Sequence, residues 1–184
     1  MSSGPNEPRI APCPTDKVPA PLNIFRTLAH NRELRSAFMA LGGHLLTAGR
    51  LPARERELVI LRVGWRSGSE YEFGQHRRIG ADAGLTEAEI DAIAEVGTHV
   101  FSEHDAALVA LADELCGDNV VSDATWSKLA ARYDDATMLE LLVLAGFYRL
   151  VSGTLNSAGV PLEPEALGWP DGAVALRSSP RATS

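Results

Sequence analysis

Residues 54–76 read RERELVILRVGWRSGSEYEFGQH, and this stretch decides the fold class. Its first half, LVILRVGW, is apolar nearly all round when it is placed on a helix. A helix that is hydrophobic over most of its surface belongs in the interior of a bundle. The stretch therefore predicts a central buried helix over 53–66, a break at SGS, and a second helix over about 70–82.

Helical periodicity continues on both sides of this pair, and no alternating strand pattern is found. Further helices are predicted over 22–30, 31–47 and 87–96, from 102 to about 117, from 122 to about 133, and over about 135–157. TEAE at 86–89 has the pattern of a capping box, which marks a helix start. The fold class is all-α, a bundle of seven to eight helices. Because several helices are too apolar for a lone bundle, we also expect a homo-oligomer.

The two ends of the chain differ in composition from the helical part. Residues 1–20 hold five of the eleven prolines and predict an extended N-terminal arm. Residues 21–158 form the helical domain. Residues 159–184 are rich in Pro, Gly and Ser and predict an irregular tail, part of which packs on a surface.

Composition excludes several classes of protein. The net charge of −7 argues against a nucleic-acid partner, because such proteins normally carry a basic patch. Two distant cysteines predict no disulfide framework. The most apolar run, 141–148, is eight residues long, whereas a membrane span needs about 20. The N-terminal residues lack an apolar signal-peptide core. We therefore expect a cytoplasmic protein without a membrane partner.

Three ionisable side chains predict proton-transfer chemistry. The imidazole of His76 can accept and donate a proton near neutral pH. Glu72 lies four residues earlier, so both side chains share one helix face. Glu57 lies on the preceding buried helix and would face this pair if the two helices pack antiparallel. His76, Glu72 and Glu57 are therefore candidate catalytic residues.

Structural roles remain possible for all three. SEYE at 69–72 also fits a capping box, in which Glu72 would fold back to the N–H of Ser69. His76 could be an ordinary core or surface histidine. Glu57 could be the ion-pair partner of Arg54 or Arg62, because buried carboxylates need such partners.

Other segments must supply the wall of a binding site. Substrate-binding residues are predicted at Ser69, Tyr71, Phe25, Trp65, Tyr148 and Asn156. The last helix carries Tyr148, Ser152 and Asn156 at spacings of four, which gives a polar stripe for a ligand or for hydrogen bonds between helices. No metal is predicted, since di-iron bundles use Glu-x-x-His motifs that are not found here. The proposed chemistry requires no cofactor.

The segment LPARERELVILRVGWRSGSEYEFGQHRRIGADAGLTEAEIDAI, residues 51–93, resembles the carboxymuconolactone decarboxylase family, which includes the alkylhydroperoxidase D-like proteins. The resemblance covers roughly residues 22–158. It implies an all-helical fold that assembles into dimers, trimers or hexamers, with active sites close to subunit contacts.

The peroxidase branch of that family carries Glu, eleven residues, Cys-x-x-Cys, three residues and His. In this chain Glu57 and His76 match the ends of the pattern, but Ser69 and Glu72 stand at the two cysteine positions. Disulfide chemistry needs both thiols. The resemblance therefore implies the decarboxylase-like branch, whose chemistry is proton transfer.

We expect a cofactor-independent acid–base enzyme, which is a lyase of the decarboxylase type, an isomerase or a cyclase. Its substrate would be a small oxygenated carboxylate, a lactone or an enolisable carbonyl compound. Two alternatives remain open. One is a thiol-dependent antioxidant protein of the alkylhydroperoxidase type. The other is a non-catalytic helical oligomer that binds a ligand or a partner.

Overall fold

The computed structural model describes residues 7–95 and 101–173. In this part of the chain there are eight α-helices and no strand, which confirms the all-α prediction. The helices are α1 (Asn23–Leu28), α2 (Arg32–Thr47), α3 (Ala53–Arg66), α4 (Glu70–Asp82), α5 (Glu87–Ile93), α6 (Glu103–Gly117), α7 (Asp123–Ala130) and α8 (Asp135–Ala158). Three helices end earlier than predicted: α1 at Leu28, α5 at Ile93 and α7 at Ala130. Residue 96, the predicted end of α5, lies outside the described residues.

Helix α3 lies at the centre of the bundle, as its composition predicts. It packs against α4, α5, α6 and α8, so apolar side chains on every side of it find partners. Leu58, Val59, Ile60 and Leu61 are all fully buried. Burial of one such side chain stabilises the fold by roughly 1.5–3 kcal/mol. The four together anchor the helix that carries Glu57.

Most helices begin at a side-chain cap. The side chains of Asn31, Thr86, Ser102, Ser122 and Asp134 each accept a hydrogen bond from a backbone N–H in the first turn of the helix that follows. The predicted capping box is present at Thr86, because Glu89 also bonds back to the Thr86 N–H. Each cap contributes about 1 kcal/mol and fixes where its helix starts.

Helix α8 has 24 residues, and its length, with the mean hydropathy of 1.4 of an 18-residue stretch within it, would alone allow a membrane span. The apolar run 141–148 is the middle of this helix, which was predicted over about 135–157, so the length of the run alone does not exclude a span. The inner face of α8 packs against α3, α4 and α6, as expected of a core helix. Core helices that are buried in a bundle commonly have this length and composition as well.

Apolar side chains remain exposed on the outer faces of α2 and α8. Leu139 and Leu150 on α8 are 62% and 56% exposed. On α2, Leu45 is buried, but Leu34 and Leu41 are exposed. A single copy of the chain does not cover these surfaces, and the homo-oligomer stays a prediction.

The described parts of the N-terminal and C-terminal segments both lie against the helical bundle. The N-terminal arm bonds to the end of α8, because the N–H groups of Arg9 and Ile10 donate to the Ala158 carbonyl at 2.8 and 3.1 Å. Residues 160–170, here called the C-terminal strap, cross α4. Trp169 of the strap packs 5.1 Å from the rings of Trp65 and Phe73.

Candidate functional site

The α3–α4 hairpin brings Glu57 and His76 together. Gly68, with φ of 59°, lies in the turn between the helices, and α4 then runs back along α3. The Nδ1 atom of His76 lies 2.6 Å from Oε2 of Glu57, and both side chains are buried. A carboxylate can only accept, so Nδ1 carries the proton and Nε2 is the free nitrogen.

Glu72 lies at the opposite nitrogen of the same ring. Its Oε2 atom is 3.6 Å from Nε2 of His76, one helical turn away on α4. This buried oxygen accepts no hydrogen bond from the described residues. His76 is thus oriented by Glu57 on one side and faces an unsatisfied carboxyl group on the other.

Burial and charge change the pKa values of this pair. Burial by itself would lower the pKa of His76, but the hydrogen bond and charge of Glu57, with the charge of Glu72, outweigh it and raise the pKa above its ordinary value. Burial raises the pKa of Glu72 as well, against the pull of His76. Both groups therefore hold protons at a higher pH than usual.

Glu57 has a further partner that the sequence did not indicate. Nε of Arg56 lies 3.0 Å from Oε1 of Glu57. The expected partners Arg54 and Arg62 are wrong, since Arg54 donates to carboxylates on α5 and α6, and Arg62 donates to Asp113. Those arginines lie on the side of α3 that faces α5 and α6, whereas Glu57 faces α4.

The capping box predicted at Ser69 and Glu72 is also wrong. Ser69 does occupy the N-cap position of α4, but its hydroxyl caps nothing and is a buried group without a hydrogen-bond partner in the described chain. The Ser69 N–H donates to the Gly64 carbonyl at 2.9 Å. Because that turn already satisfies this N–H, Glu72 is left to point toward His76.

A cavity of about 180 Å³ opens beside the pair. The predicted residues Phe25, Tyr71 and Tyr148 line it, together with Glu72 and His76. Sequence reasoning missed most of the remaining wall, which includes Phe38, Met39 and Leu46 of α2, Ile79 of α4, and Phe147 and Val151 of α8. On their helices these residues look like ordinary core positions, so no pattern distinguished them.

Three predicted binding residues lie outside this wall. Trp65 packs against Phe73 and the strap, and Ser69 is buried in the α3–α4 turn. Asn156 is exposed and donates to the Ser67 carbonyl at 2.9 Å. The polar stripe on α8 is therefore divided: Tyr148 faces the cavity, whereas Asn156 makes the hydrogen bond between segments that the alternative reading proposed.

Tyr148 stands edge-on to His76, with ring centroids 5.0 Å apart and planes at 88°. Its hydroxyl makes no hydrogen bond to the residues that the structure describes. Burial, with the charges of Glu72 and Glu57, raises the pKa of Tyr148 well above its ordinary value. The phenol therefore stays protonated and can donate a hydrogen bond to a ligand.

Glu163 of the strap bonds to two residues of the cavity wall, and sequence reasoning missed it. Its carboxylate accepts hydrogen bonds from the Tyr71 hydroxyl at 2.7 Å, from Nε2 of Gln75 at 2.5 Å, and from the Asn23 N–H at 2.6 Å. The apolar residues of the tail indicated packing, but nothing marked a single glutamate in a Pro-rich segment.

The site contains neither a thiol nor a set of metal ligands. Cys13 and Cys116 do not line the cavity, and burial raises the pKa of the Cys116 thiol, which lowers its reactivity. Within residues 7–95 and 101–173, no group of three His, Cys, Asp or Glu side chains is placed to hold a metal ion. Glu57 and Glu72 lie at different nitrogens of His76, so the three do not converge on one point.

Residues 32–114, which carry Glu57, Glu72 and His76, match the model of the carboxymuconolactone decarboxylase family. This segment is similar to that family. The resemblance stated from the sequence is thereby confirmed. Among curated proteins, none matches the chain in sequence.

Solved structures share the fold at low sequence identity. A putative antioxidant defence protein AhpD from Agrobacterium tumefaciens is 20% identical with a TM-score of 0.68, over 75% of this chain and 96% of that one. A peroxidase-related protein from Silicibacter sp. TM1040 is 17% identical with a TM-score of 0.67, over 82% and 81%. The debrominase Bmp8 is 15% identical with a TM-score of 0.70, over 84% and 92%. The fold is therefore AhpD-like, and it is one that enzymes use.

Proposed function

We propose that the protein is a cofactor-independent acid–base enzyme that moves a proton on a small, enolisable carbonyl compound or lactone. One observation carries the proposal: Glu57 fixes Nδ1 of His76 at 2.6 Å, so that Nε2 is the free nitrogen on the side of Glu72 and the cavity. A buried imidazole held in one tautomer, beside a second carboxyl group, is the arrangement that proton abstraction requires.

The residues divide the reaction between them. Nε2 of His76 takes the proton from a carbon next to the carbonyl group, and the electron pair of the broken C–H bond moves to the carbonyl oxygen. The Tyr148 hydroxyl donates a hydrogen bond to that oxygen as its charge develops. The imidazolium then returns the proton to the same carbon or to another one.

The same machinery serves a decarboxylation. There the electron pair of a breaking C–C bond moves to the carbonyl oxygen, carbon dioxide leaves, and protonated His76 delivers a proton to carbon. A lyase of this kind, an isomerase and a cyclase differ only in which bond supplies the electron pair and where the proton returns.

A thiol-dependent activity is the main competitor. The debrominase Bmp8 has the same fold, and a variant of it was solved in complex with 2,3,4-tribromopyrrole. In this chain, however, Ser69 and Glu72 take the cysteine positions of the peroxidase pattern, and both cysteines lie outside the cavity. A serine hydroxyl and a carboxylate do not form a disulfide, which favours proton transfer.

Hydrogen–deuterium exchange tests the proposal without knowledge of the natural substrate. Cyclohexanone, γ-butyrolactone and a β-keto ester are incubated with the protein in D₂O, and loss of the α-proton signal is followed by NMR. We expect exchange above the buffer rate for at least one compound, reduced about 100-fold or more in His76→Gln.

Chemical-shift changes in the protein identify the compounds that bind. Absence of exchange on every compound that binds would contradict the proposal and favour a non-catalytic binding protein. Exchange that is unchanged in His76→Gln would contradict it as well. Circular dichroism checks that the variant remains folded.

We also propose that the protein is a homo-oligomer that covers the exposed apolar residues of α8. Leu139, Val143 and Leu150 recur at spacings of four and seven on its outer face and are 62%, 39% and 56% exposed. Leu150→Glu is expected to shift the mass measured by light scattering toward the monomer. An unchanged oligomer would place the interface elsewhere, and a monomeric wild type would refute the oligomer.

A further inference from the structure

The charges around the cavity limit what can enter it. No lysine or arginine lies in the wall formed by the described residues, and its charged or titratable groups are Glu72, His76 and the two tyrosines. Arg56 lies nearby but binds Glu57 behind His76. Proteins that bind carboxylates normally supply a bidentate arginine, and this cavity offers none.

The imidazole does not supply the missing cation. A proton on Nε2 of His76 would be balanced by Glu57 at 2.6 Å from Nδ1. A ligand carboxylate next to Nε2 would also approach Glu72, whose Oε2 is 3.6 Å from that nitrogen. Two carboxylates at one site repel unless a further proton is taken up.

The wall of the cavity is polar at one end and apolar at the other. Tyr71 and Gln75 line the cavity, and each donates a hydrogen bond to Glu163; the Tyr71 hydroxyl also accepts one from the Ile24 N–H. The groups left for a ligand are Nε2 of His76, Glu72, the Tyr148 hydroxyl, and the amide oxygen and second N–H of Gln75, none of which is a cation. The opposite wall is apolar, with side chains such as Phe25, Phe38, Leu46 and Phe147.

The volume of the cavity limits the size of the ligand that it can hold. The cavity measures about 180 Å³. An apolar cavity of about 150 Å³ engineered in another protein binds benzene. This cavity therefore holds one six-membered ring with a small substituent.

We infer that the site selects an uncharged, single-ring carbonyl compound or lactone, oriented by one oxygen at its polar end, and rejects carboxylates of the same shape. This inference rests on the proposed function for the role of the oxygen. It removes the carboxylates from the substrate classes that the sequence allowed, and it removes decarboxylation from the reactions, which leaves proton transfer on an uncharged compound. The apolar wall binds the ring, and Glu72 is the residue that determines the charge selectivity.

Benzamide and benzoate test the inference, because they have nearly the same shape and differ in charge. Binding is measured by NMR titration at pH 7.5. We expect benzamide to bind at least tenfold more tightly than benzoate. Equal or tighter binding of benzoate would overturn the inference, and so would failure of both probes to bind.

A charge added at the cavity mouth sharpens the test. Met39 lines the cavity and is 41% exposed, so Met39→Lys places an ammonium group at the mouth without burying it. We expect benzoate binding to improve about tenfold and benzamide binding to change less than threefold. Met39→Gln is the matched control, and we expect it to leave the preference unchanged. A lysine variant whose benzoate affinity does not rise would contradict the role assigned to charge.

Binding and exchange separate the two proposals. If benzamide is preferred but bound carbonyl compounds do not exchange their α-protons, the proposed function fails and the charge selectivity stands. If exchange occurs and benzoate binds as well as benzamide, the selectivity fails and the acid–base function stands.

Discussion

Two side-chain clusters that include residues of α3 contain the same kinds of residue, but they differ in how many of their hydrogen-bonding groups are paired within the protein. Glu55 and Glu57 are two positions apart, so they point to different sides of the helix. Glu57 meets His76 and lies near Tyr148, and with Glu72 these form what we call the open cluster. Glu55 meets His104 and Tyr133, which we call the closed cluster.

The closed cluster has used its hydrogen-bonding groups. Nε2 of His104 lies 2.9 Å from the Tyr133 hydroxyl and 3.2 Å from Oε1 of Glu55. The Tyr133 hydroxyl donates to Glu55, and Arg132 forms an ion pair with the same carboxylate. With its partners inside the protein, this cluster links α3, α6 and the end of α7.

The open cluster has hydrogen-bonding capacity left over. Oε2 of Glu72 is buried without a hydrogen-bond partner in the described chain, and Nε2 of His76 and the Tyr148 hydroxyl lie at the cavity. Buried polar groups are normally satisfied, so unsatisfied groups beside a cavity mark a place for a ligand. Glutamate, histidine and tyrosine together thus do not define a site; the unsatisfied groups and the adjoining space do.

The largest expected difference is in activity. His76→Gln should reduce α-proton exchange about 100-fold or more, because the general base is lost. His104→Gln should leave exchange within about threefold and lower the free energy of unfolding by about 1 kcal/mol, because its hydrogen bonds are lost. NMR exchange rates and urea unfolding measure both effects. If both variants lose the same fraction of the α-proton exchange rate, the open cluster and the closed cluster do not differ in their contribution to activity.

Replacing the glutamates should give the next largest effect. Glu57→Gln should reduce the exchange rate about tenfold or more, because an amide no longer fixes the tautomer of His76. Its pH–rate midpoint should move to lower pH, since the hydrogen bond and charge of Glu57 raise the pKa of His76. Glu55→Gln serves as the control and should keep the wild-type midpoint. If the midpoint is unchanged in Glu57→Gln, Glu57 does not raise the pKa of His76.

The two tyrosines should differ in stability. Tyr133→Phe removes a donor from a buried carboxylate and should lower the free energy of unfolding by about 1 kcal/mol. Tyr148→Phe removes a hydroxyl that bonds to no described residue, so its effect should be within about 0.5 kcal/mol. Urea unfolding at pH 7 compares them. The reverse order would mean that the Tyr148 hydroxyl has a structural partner.

The smallest expected effect is in the pH dependence of stability. Because the folded-state pKa of His76 is raised from 6.5, its contribution to stability is complete below pH 6.5 and is lost as the pH rises through the folded value. The raised pKa of Glu72 gives a decline of the same sign, beginning near its ordinary value of 4.5. The free energy of unfolding should therefore fall less steeply above pH 6.5 in His76→Gln than in the wild type. A slope above pH 6.5 that is the same in His76→Gln and in the wild type would contradict this assignment.

The sequence predicts the helices well because their signals are local. Caps such as Thr86 and Ser122 act within one turn, and the apolar surface of α3 follows from its own residues. Glu57 and His76 were predicted to meet because a short turn joins two helices in sequence. Their contact depends on no distant segment.

The predictions that were wrong or missing concern side chains whose contacts depend on segments far away in the sequence or on a competing hydrogen-bond partner. The capping box at Ser69 failed because the Gly64 carbonyl competes for its N–H. Trp65 was placed in the cavity wall, but the strap covers it, and nothing in the sequence shows where the strap crosses. Phe38 and Met39 have the same apolar character as core residues, so only the packing of α2 beside α4 and α8 reveals their role.

The bonds of Glu163 also have a consequence for the order of folding. They connect residue 163 to Asn23 at the start of α1, across a separation of 140 residues. Contacts of such long range form late, because closing the intervening loop costs entropy that only an existing scaffold can offset. The α3–α4 hairpin, whose contacts are local, should therefore form early and bring Glu57 to His76 before the cavity is complete. The chemical groups of the site would then be assembled first, and the enclosure that separates them from water would be added last.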